Sequence, residues 1–269
     1  GAAAVMDVCG RSIIFGGADT VKRYAHDPRV EVHGPGWSKV VLGEDVIDDW
    51  ERHLDVIVDS IAANSGRSCI NASAVIVPRH GDAITEAVAQ RLAAIEPTAL
   101  DDPDAQLSAI ANPAIAQWAD GQIINGLRTP GARDVTAAAR GNAKTERLVT
   151  FDGRTYLLPT LIRCDDASHP LANVEFMFPF ASVLEVARDA LLTTIGEALV
   201  VTAITEDDAL INALLACPTI HRLNLGPMPT SVAQWDQPHE GNLFELLYQR
   251  RAIQRAVAHE RQLATDKHG

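Results

Sequence analysis

The sequence predicts an α/β protein, a largely parallel sheet with helices on both of its faces. Three observations carry that expectation. Strand-like apolar runs alternate with helix-like stretches along the chain, the order in which crossover helices connect parallel strands. The run Ala74-Val75-Ile76-Val77 reads as a buried strand, as expected of a sheet covered on both sides. The helical stretches each carry one apolar face at three- and four-residue steps, which suits packing against a sheet.

Taken in order, RSIIFGG (11–17) is a short strand ending in two glycines, and ADTVKRYAHD (18–27) continues as a helix, so the chain opens with a β-α unit. VEVHGPGWSKVVLG (30–43) gives two short strands around a Gly-Pro-Gly turn. Val46, Trp50, Leu54, Ile57, Val58 and Ile61 mark one apolar face of a helix over about 45–63. The strand to Val77 comes next, then a helix with Ile84, Val88, Leu92 and Ile95 on one face, stopped by Pro97. Residues 98–145, rich in Ala, Asp, Gly and Pro, hold one helical pattern, DAQLSAIANPAIAQWAD (104–120). RLVTFDGRTYLLPTLIR (147–163) reads as a hairpin across Asp152-Gly153 followed by an extended piece. A strand EALVVTAIT, a helix EDDALINALLAC closed by Pro218, and a strand HRLNLG complete the alternation. The last stretch, from Asn242, is an amphipathic helix passing into a charged tail, suited to packing on its own chain or on a second subunit.

The 269 residues are 47% hydrophobic and 22% charged, an ordinary globular composition. The net charge of −12 argues against nucleic acid, whose binding needs clustered Lys and Arg. No apolar run approaches a membrane span, which needs about 20 residues. Cys9, Cys69, Cys164 and Cys217 are widely spaced and read as reduced thiols of a cytoplasmic protein. No metal-ligand spacing, P-loop or G-x-G-x-x-G occurs, and His26, His80, His221 and His239 read as surface or capping residues.

The chemistry centres on NSGRSC, residues 64–69. Gly66 permits a tight turn that presents a sulfur, and a nearby cation such as Arg67, or backbone N–H groups aimed at it, favours the thiolate. The same position also suits a small buried side chain.

NSGRSC resembles the Asn-x-Gly-Gln-x-Cys motif of the aldehyde dehydrogenase superfamily, with Arg67 in place of the usual glutamine. Further segments follow in the family's order. IIFGGADTV is similar to its Phe-Thr-Gly-Ser turn, YLLPTLI to its Pro-Thr segment and VEFMFPF to its Glu-x-Phe-Gly-Pro segment. RLNLG resembles its late strand, and PHEGNLFELLYQRRAIQ its closing segment. The resemblance implies catalysis by Cys69, with Asn64 opening the motif, and cofactor contacts at Gly17, Ala18 and Glu175. It implies NAD or NADP as cofactor, an aldehyde or acyl substrate, and a homo-oligomer. It also implies a preceding N-terminal half, and three parts within this chain: 1–38 as the end of a dinucleotide-binding domain, 39–226 as the catalytic domain, 227–269 as a return segment.

Two departures matter. Ala18 lacks the hydroxyl usual there. The family's general-base glutamate aligns near Val32, and its neighbours Glu31 and His33 point to the opposite strand face, so either serves only after a one-residue register change. A Gly-Pro-Gly turn without that glutamate resembles the CoA-acylating aldehyde dehydrogenases, which pass the thioester to CoA. Three readings follow: hydrolysing dehydrogenase, CoA-acylating enzyme, or a non-catalytic member with a binding role.

Overall fold

The computed structural model describes residues 2–141, 146–234, 236–238, 246–248 and 254. A short helix α1 (Ala2–Val8) leads into β1 (Ser12–Phe15), α2 (Ala18–Tyr24) and β2 (Val30–His33), and β1 and β2 pair in parallel as a separate two-stranded sheet. Next come β3 (Ser38–Leu42), a 3-10 turn (Ile47–His53), α3 (Leu54–Ala62), β4 (Ala72–Val77) and α4 (Gly81–Ala93). α5 (Pro113–Leu127), β5 (Ala132–Asp134) and α6 (Val135–Ala139) precede the antiparallel hairpin of β6 (Leu148–Phe151) and β7 (Arg154–Leu157). The chain closes with β8 (Thr160–Cys164), β9 (Phe180–Glu185), α7 (Leu191–Ile195), β10 (Ala198–Ile204), α8 (Asp208–Leu215) and β11 (Ile220–Leu225).

Seven strands form the central sheet in the order β11-β10-β3-β4-β9-β8-β5, all parallel except the edge strand β5. β3, β4 and β10 are buried at every position, so their side chains feed two cores alternately. Val40, Leu42, Val75, Val77 and Val183 meet α3 and α4, where Ile57, Ile61, Ile84, Val88 and Leu92 are wholly buried. Val41, Ile76, Val201 and Ala203 face the other way, under α7 and α8. A third cluster, with Phe176, Phe178 and Phe180, packs Ile162 and Leu184 against α5.

Two helices differ from expectation in their beginnings. Residues 47–53 are 3-10, with Asp49 out of helical geometry, and the α-helix starts only at Leu54. The kinked turn brings Asp48 to Arg79 at 2.7 Å and His80 at 3.0 Å. The helix expected from 104 starts at Pro113, because the residue before proline is driven out of helical conformation; Asn112 caps it by accepting from the Ala114 N–H. The hairpin turns at Asp152-Gly153, both with positive φ as a type I′ turn requires. Strand β9 and helices α6 and α7 were not anticipated. The closing segment 238–254 and the terminal helix lie almost wholly outside the described residues, as does His239.

Candidate functional site

The turn carrying Cys69 is built at the end of α3. Asn64, Ser65 and Gly66 follow one another in left-handed conformation, with φ of 52°, 61° and 62°. A side chain at Gly66 would overlap the backbone of Phe178 and Pro179, so glycine is required there for space as well as conformation. Asn71 locks the turn: its Oδ1 accepts from the Ser68 N–H, and its Nδ2 donates to the carbonyls of Ser60 (3.2 Å) and Ala63 (3.0 Å). The Cys69 carbonyl accepts from Ser38 Oγ at 2.8 Å.

Cys69 is half-buried. Burial, then the Glu175 carboxylate, push its thiol above the ordinary range, while the Ser68 side chain and the N–H groups of Cys69 and Ile70 pull it down by bonding the sulfur. The sulfur therefore lies within reach of two backbone donors from its own turn.

Beside it opens a cleft of about 440 Å³, walled by Val21, Glu31, His33, the segment Gly34 to Trp37, Leu199 and His221. Gly36 fronts Cys69 directly, since a Cβ there would overlap the Cys69 carbonyl. Glu175 reaches the same segment from 139 residues away, accepting from the N–H groups of Gly36 (2.9 Å) and Trp37 (2.8 Å). Burial pushes Glu175 up; those two amides and the Lys39 charge pull it down. On the other side, the Gly16 N–H donates to the His33 carbonyl at 3.0 Å.

Each residue singled out in the sequence thus has a place. Glu31 and His33 both line the cleft, and their side chains pair, Nε2 to Oε1 at 3.0 Å, with the His33 ring stacked on Phe15 at 5.0 Å. β2 pairs with β1 with Val32 opposite Ile14, and Glu31, Val32 and His33 all border the cleft in that register, so neither flanking residue needs the register change expected of it. Gly17 has open space where a side chain would stand and precedes α2, which Ala18 begins. Asn64 is exposed over a different depression, shared with Ser65 and Ser108. Arg67, the cation nearest Cys69 in sequence, turns outward to the Ala109 carbonyl at 3.3 Å. Cys164 is sealed in the core with its thiol pushed up to about 12 by burial. His221 is exposed, as expected of a surface residue, and borders the cleft.

Sequence reasoning missed Lys39. Lys39 is 1% exposed; its ammonium donates to the carbonyls of Trp37 (2.6 Å) and Glu197 (3.4 Å), and burial lowers its pKa to about 8. Together with Glu175 it grips both ends of the Trp37 residue, which sits at a φ of 43°, strained for a large side chain. The signal was present: a lysine inside the apolar strand SKVVL, rarely buried without partners. Among the described residues, no group of three or more His, Cys, Asp or Glu is placed to hold a metal, and no helix is long and apolar enough to cross a membrane.

Residues 14–195, more than half of the chain, match the sequence profile described as Aldehyde dehydrogenase family. No curated protein sequence matches significantly. Among solved structures, a mutant of an aldehyde dehydrogenase from Bacillus cereus superposes with a TM-score of 0.74 at 16% identity, covering 90% of this chain and 49% of its own. An aldehyde dehydrogenase C from Pseudomonas syringae, complexed with NAD+ and octanal, gives 0.69 at 20% identity over 87% of this chain and 47% of its own. A glyceraldehyde-3-phosphate dehydrogenase from Methanocaldococcus jannaschii, complexed with NADP, gives 0.68 at 13% identity over 86% and 49%. The chain thus spans about half the length of the structures it resembles.

Proposed function

The chain belongs to the aldehyde dehydrogenase family, and from that premise we propose that it is the cysteine-bearing part of an NAD(P)-dependent, aldehyde dehydrogenase-like oxidoreductase whose nucleophile is Cys69. One observation carries the reading: three segments far apart in sequence close on Cys69. Gly36 lies against its carbonyl, Gly66 of its own turn lies against Pro179, and Glu175 holds the Gly36 and Trp37 amides. The neighbouring strands β3, β4 and β9 bring these segments to one end of the sheet, where a ligand site shared between them can form.

In this reading residues 1–38 close a dinucleotide-binding domain, 39–226 form the catalytic domain and 227–269 return to the first. The residues present fit the nicotinamide end of a dinucleotide. There is open space above Gly17, and Glu175, a two-oxygen acceptor bonded to the Gly36 and Trp37 N–H groups of the cleft wall, suits a ribose hydroxyl. When bound, the nicotinamide supplies a hydride acceptor. Cys69 attacks the aldehyde carbon as the thiolate, and the N–H groups that reach its sulfur lie close to the oxygen that becomes negative. Loss of hydride leaves a thioester on Cys69; attack on it by water or a thiol returns the thiolate.

His33 is the residue suited to take the proton of that acceptor. Its ring is oriented by Glu31 and by stacking on Phe15 in the cleft wall, the arrangement of a carboxylate-held imidazole base. A thiol acceptor asks less of the base than water does, because thiols ionise far more readily, and Val32 stands where the family's glutamate aligns. CoA-dependent acylation is therefore the reading favoured for the second half-reaction. The test is kinetic: the protein with whatever is encoded upstream of Gly1 is mixed with propanal and NAD or NADP. One equivalent of reduced cofactor without CoA and steady turnover with it supports the acylating reading; steady turnover in water that survives His33→Ala removes His33 as base; absence of any burst removes the enzyme reading.

A further inference from the structure

Trp37 borders the cleft with its backbone in a conformation that its side chain resists. Its φ of 43° is uncommon for any residue but glycine and unfavourable for one so large. Two charged groups hold it there, one of them sealed from solvent. Glu175 accepts from the Trp37 N–H at 2.8 Å, and the ammonium of Lys39, a residue 1% exposed, donates to the Trp37 carbonyl at 2.6 Å. The residue before it, Gly36, lies against the Cys69 carbonyl. Strain persists only where the surrounding structure imposes it, and strain imposed beside a cleft points to a use for the residue.

That use is not core packing. Trp50 packs against the cluster under α3 and α4, whereas Trp37 belongs to none of the buried apolar clusters. Among the described residues no aromatic ring contacts it, and its indole N–H has no hydrogen-bond partner. A large, half-buried apolar side chain outside every core cluster, on a residue that borders a cleft of about 440 Å³, is available to a ligand there. The lining narrows the kind of ligand. Val21 and Leu199 offer apolar surface beside Trp37. The ionisable residues of the lining are Glu31, His33, Glu197 and His221, and no Lys or Arg lines it among the described residues. Two carboxylates without a permanent cation disfavour a negatively charged ligand.

We propose that Trp37 is a specificity-determining residue whose indole forms a platform for an uncharged aromatic ring, so that the cleft selects aldehydes that carry such a ring and lack an anionic group. This rests on Cys69 being the nucleophile. An aromatic pair adds to simple burial an advantage of about fivefold over a saturated ring of similar size.

Phenylacetamide, cyclohexylacetamide and phenylacetate, similar in size and inert toward thiols, test this by ligand-observed NMR titration of the full-length protein. In the wild type, phenylacetamide should bind about fivefold tighter than cyclohexylacetamide, and phenylacetate about fivefold weaker than phenylacetamide. The aromatic preference should fall to about one in Trp37→Leu and be mostly kept in Trp37→Phe, while the discrimination against phenylacetate survives in both. Saturating NAD or NADP should leave the ratios in place; displacement of phenylacetamide by either would assign Trp37 to the nicotinamide ring and overturn the substrate assignment. Equal affinities for the three compounds in the wild type, or an aromatic preference unchanged in Trp37→Leu, would overturn the inference, and the wild-type comparison needs no variant. A burst of reduced cofactor with phenylacetaldehyde alongside equal affinities overturns this inference alone. The aromatic preference with no burst overturns the enzyme reading, and the substrate assignment with it.

Discussion

Replacing Lys39 by Met tests the grip on Trp37 through its pH dependence. Lys39 is buried with its pKa lowered from 10.5 to about 8, chiefly by desolvation. The folded state therefore gives up the proton more readily than the unfolded chain, and stability rises as pH rises between about 8 and 10.5. At neutral pH the buried charge costs about 3 kcal/mol, at 1.36 kcal/mol per pKa unit. By about pH 9.5 roughly 2 kcal/mol of that cost has been relieved. Lys39→Met removes the charge and leaves the Trp37 carbonyl without its donor, a loss of about 1–3 kcal/mol that does not vary with pH. The variant should match the wild type near pH 7 and fall behind it by about 2 kcal/mol near pH 9.5. Urea unfolding of both proteins across that range measures the difference directly. A difference constant to within about 0.5 kcal/mol would show that Lys39 does not titrate there, and the argument for its buried, charge-bearing grip would fail.

Other expectations follow from the same geometry. Gly66→Ala meets both a φ of 62° and the backbone of Phe178 and Pro179 and should cost about 3 kcal/mol in urea unfolding, against about 1 kcal/mol for Gly153→Ala, which has a similar φ of 70° and open space. Equal losses at the two sites would remove the packing argument. Glu175→Gln takes away a carboxylate that raises the Cys69 thiol, so the iodoacetamide rate at Cys69 near pH 8 should rise roughly threefold, its pH midpoint moving down; an unmoved midpoint would place Glu175 too far from the sulfur to matter. Cys164, with its thiol pushed up to about 12, should resist an aromatic disulfide reagent in the native protein and react only after unfolding. Native labelling of Cys164 at the rate of Cys217 would contradict the sealed core.

The sheet was legible in the sequence because parallel strands buried on both faces leave continuous apolar runs, and SKVVL, ASAVIV and ALVVTAI are such runs. Strand β9 was not, because FASVLE runs on from the apolar, phenylalanine-rich VEFMFP and no clean two-residue alternation marks where the strand begins. The convergence of Gly36, Gly66 and Glu175 was readable only through motif order, since nothing local to Glu175 says that its carboxylate accepts from amides 138 and 139 residues away. Lys39 illustrates the remaining gap. Its environment is made by carbonyls at Trp37 and Glu197, and a buried cation is defined by such partners, not by its own neighbours in sequence. Arg67 shows the converse, adjacent to Cys69 in sequence and bonded elsewhere.

The central claim is that Cys69 is the nucleophile, and acyl transfer from 4-nitrophenyl acetate to the protein tests it most directly. The protein is acidified after partial release of nitrophenolate, digested, and the acetyl group located by mass spectrometry among Cys9, Cys69, Cys164 and Cys217. The account predicts acetylation at Cys69 ahead of the other three, at a rate that climbs with pH through a midpoint above the ordinary thiol range, as its burial and Glu175 require. Acetyl groups on Cys9 and Cys217 with Cys69 unmodified would contradict it.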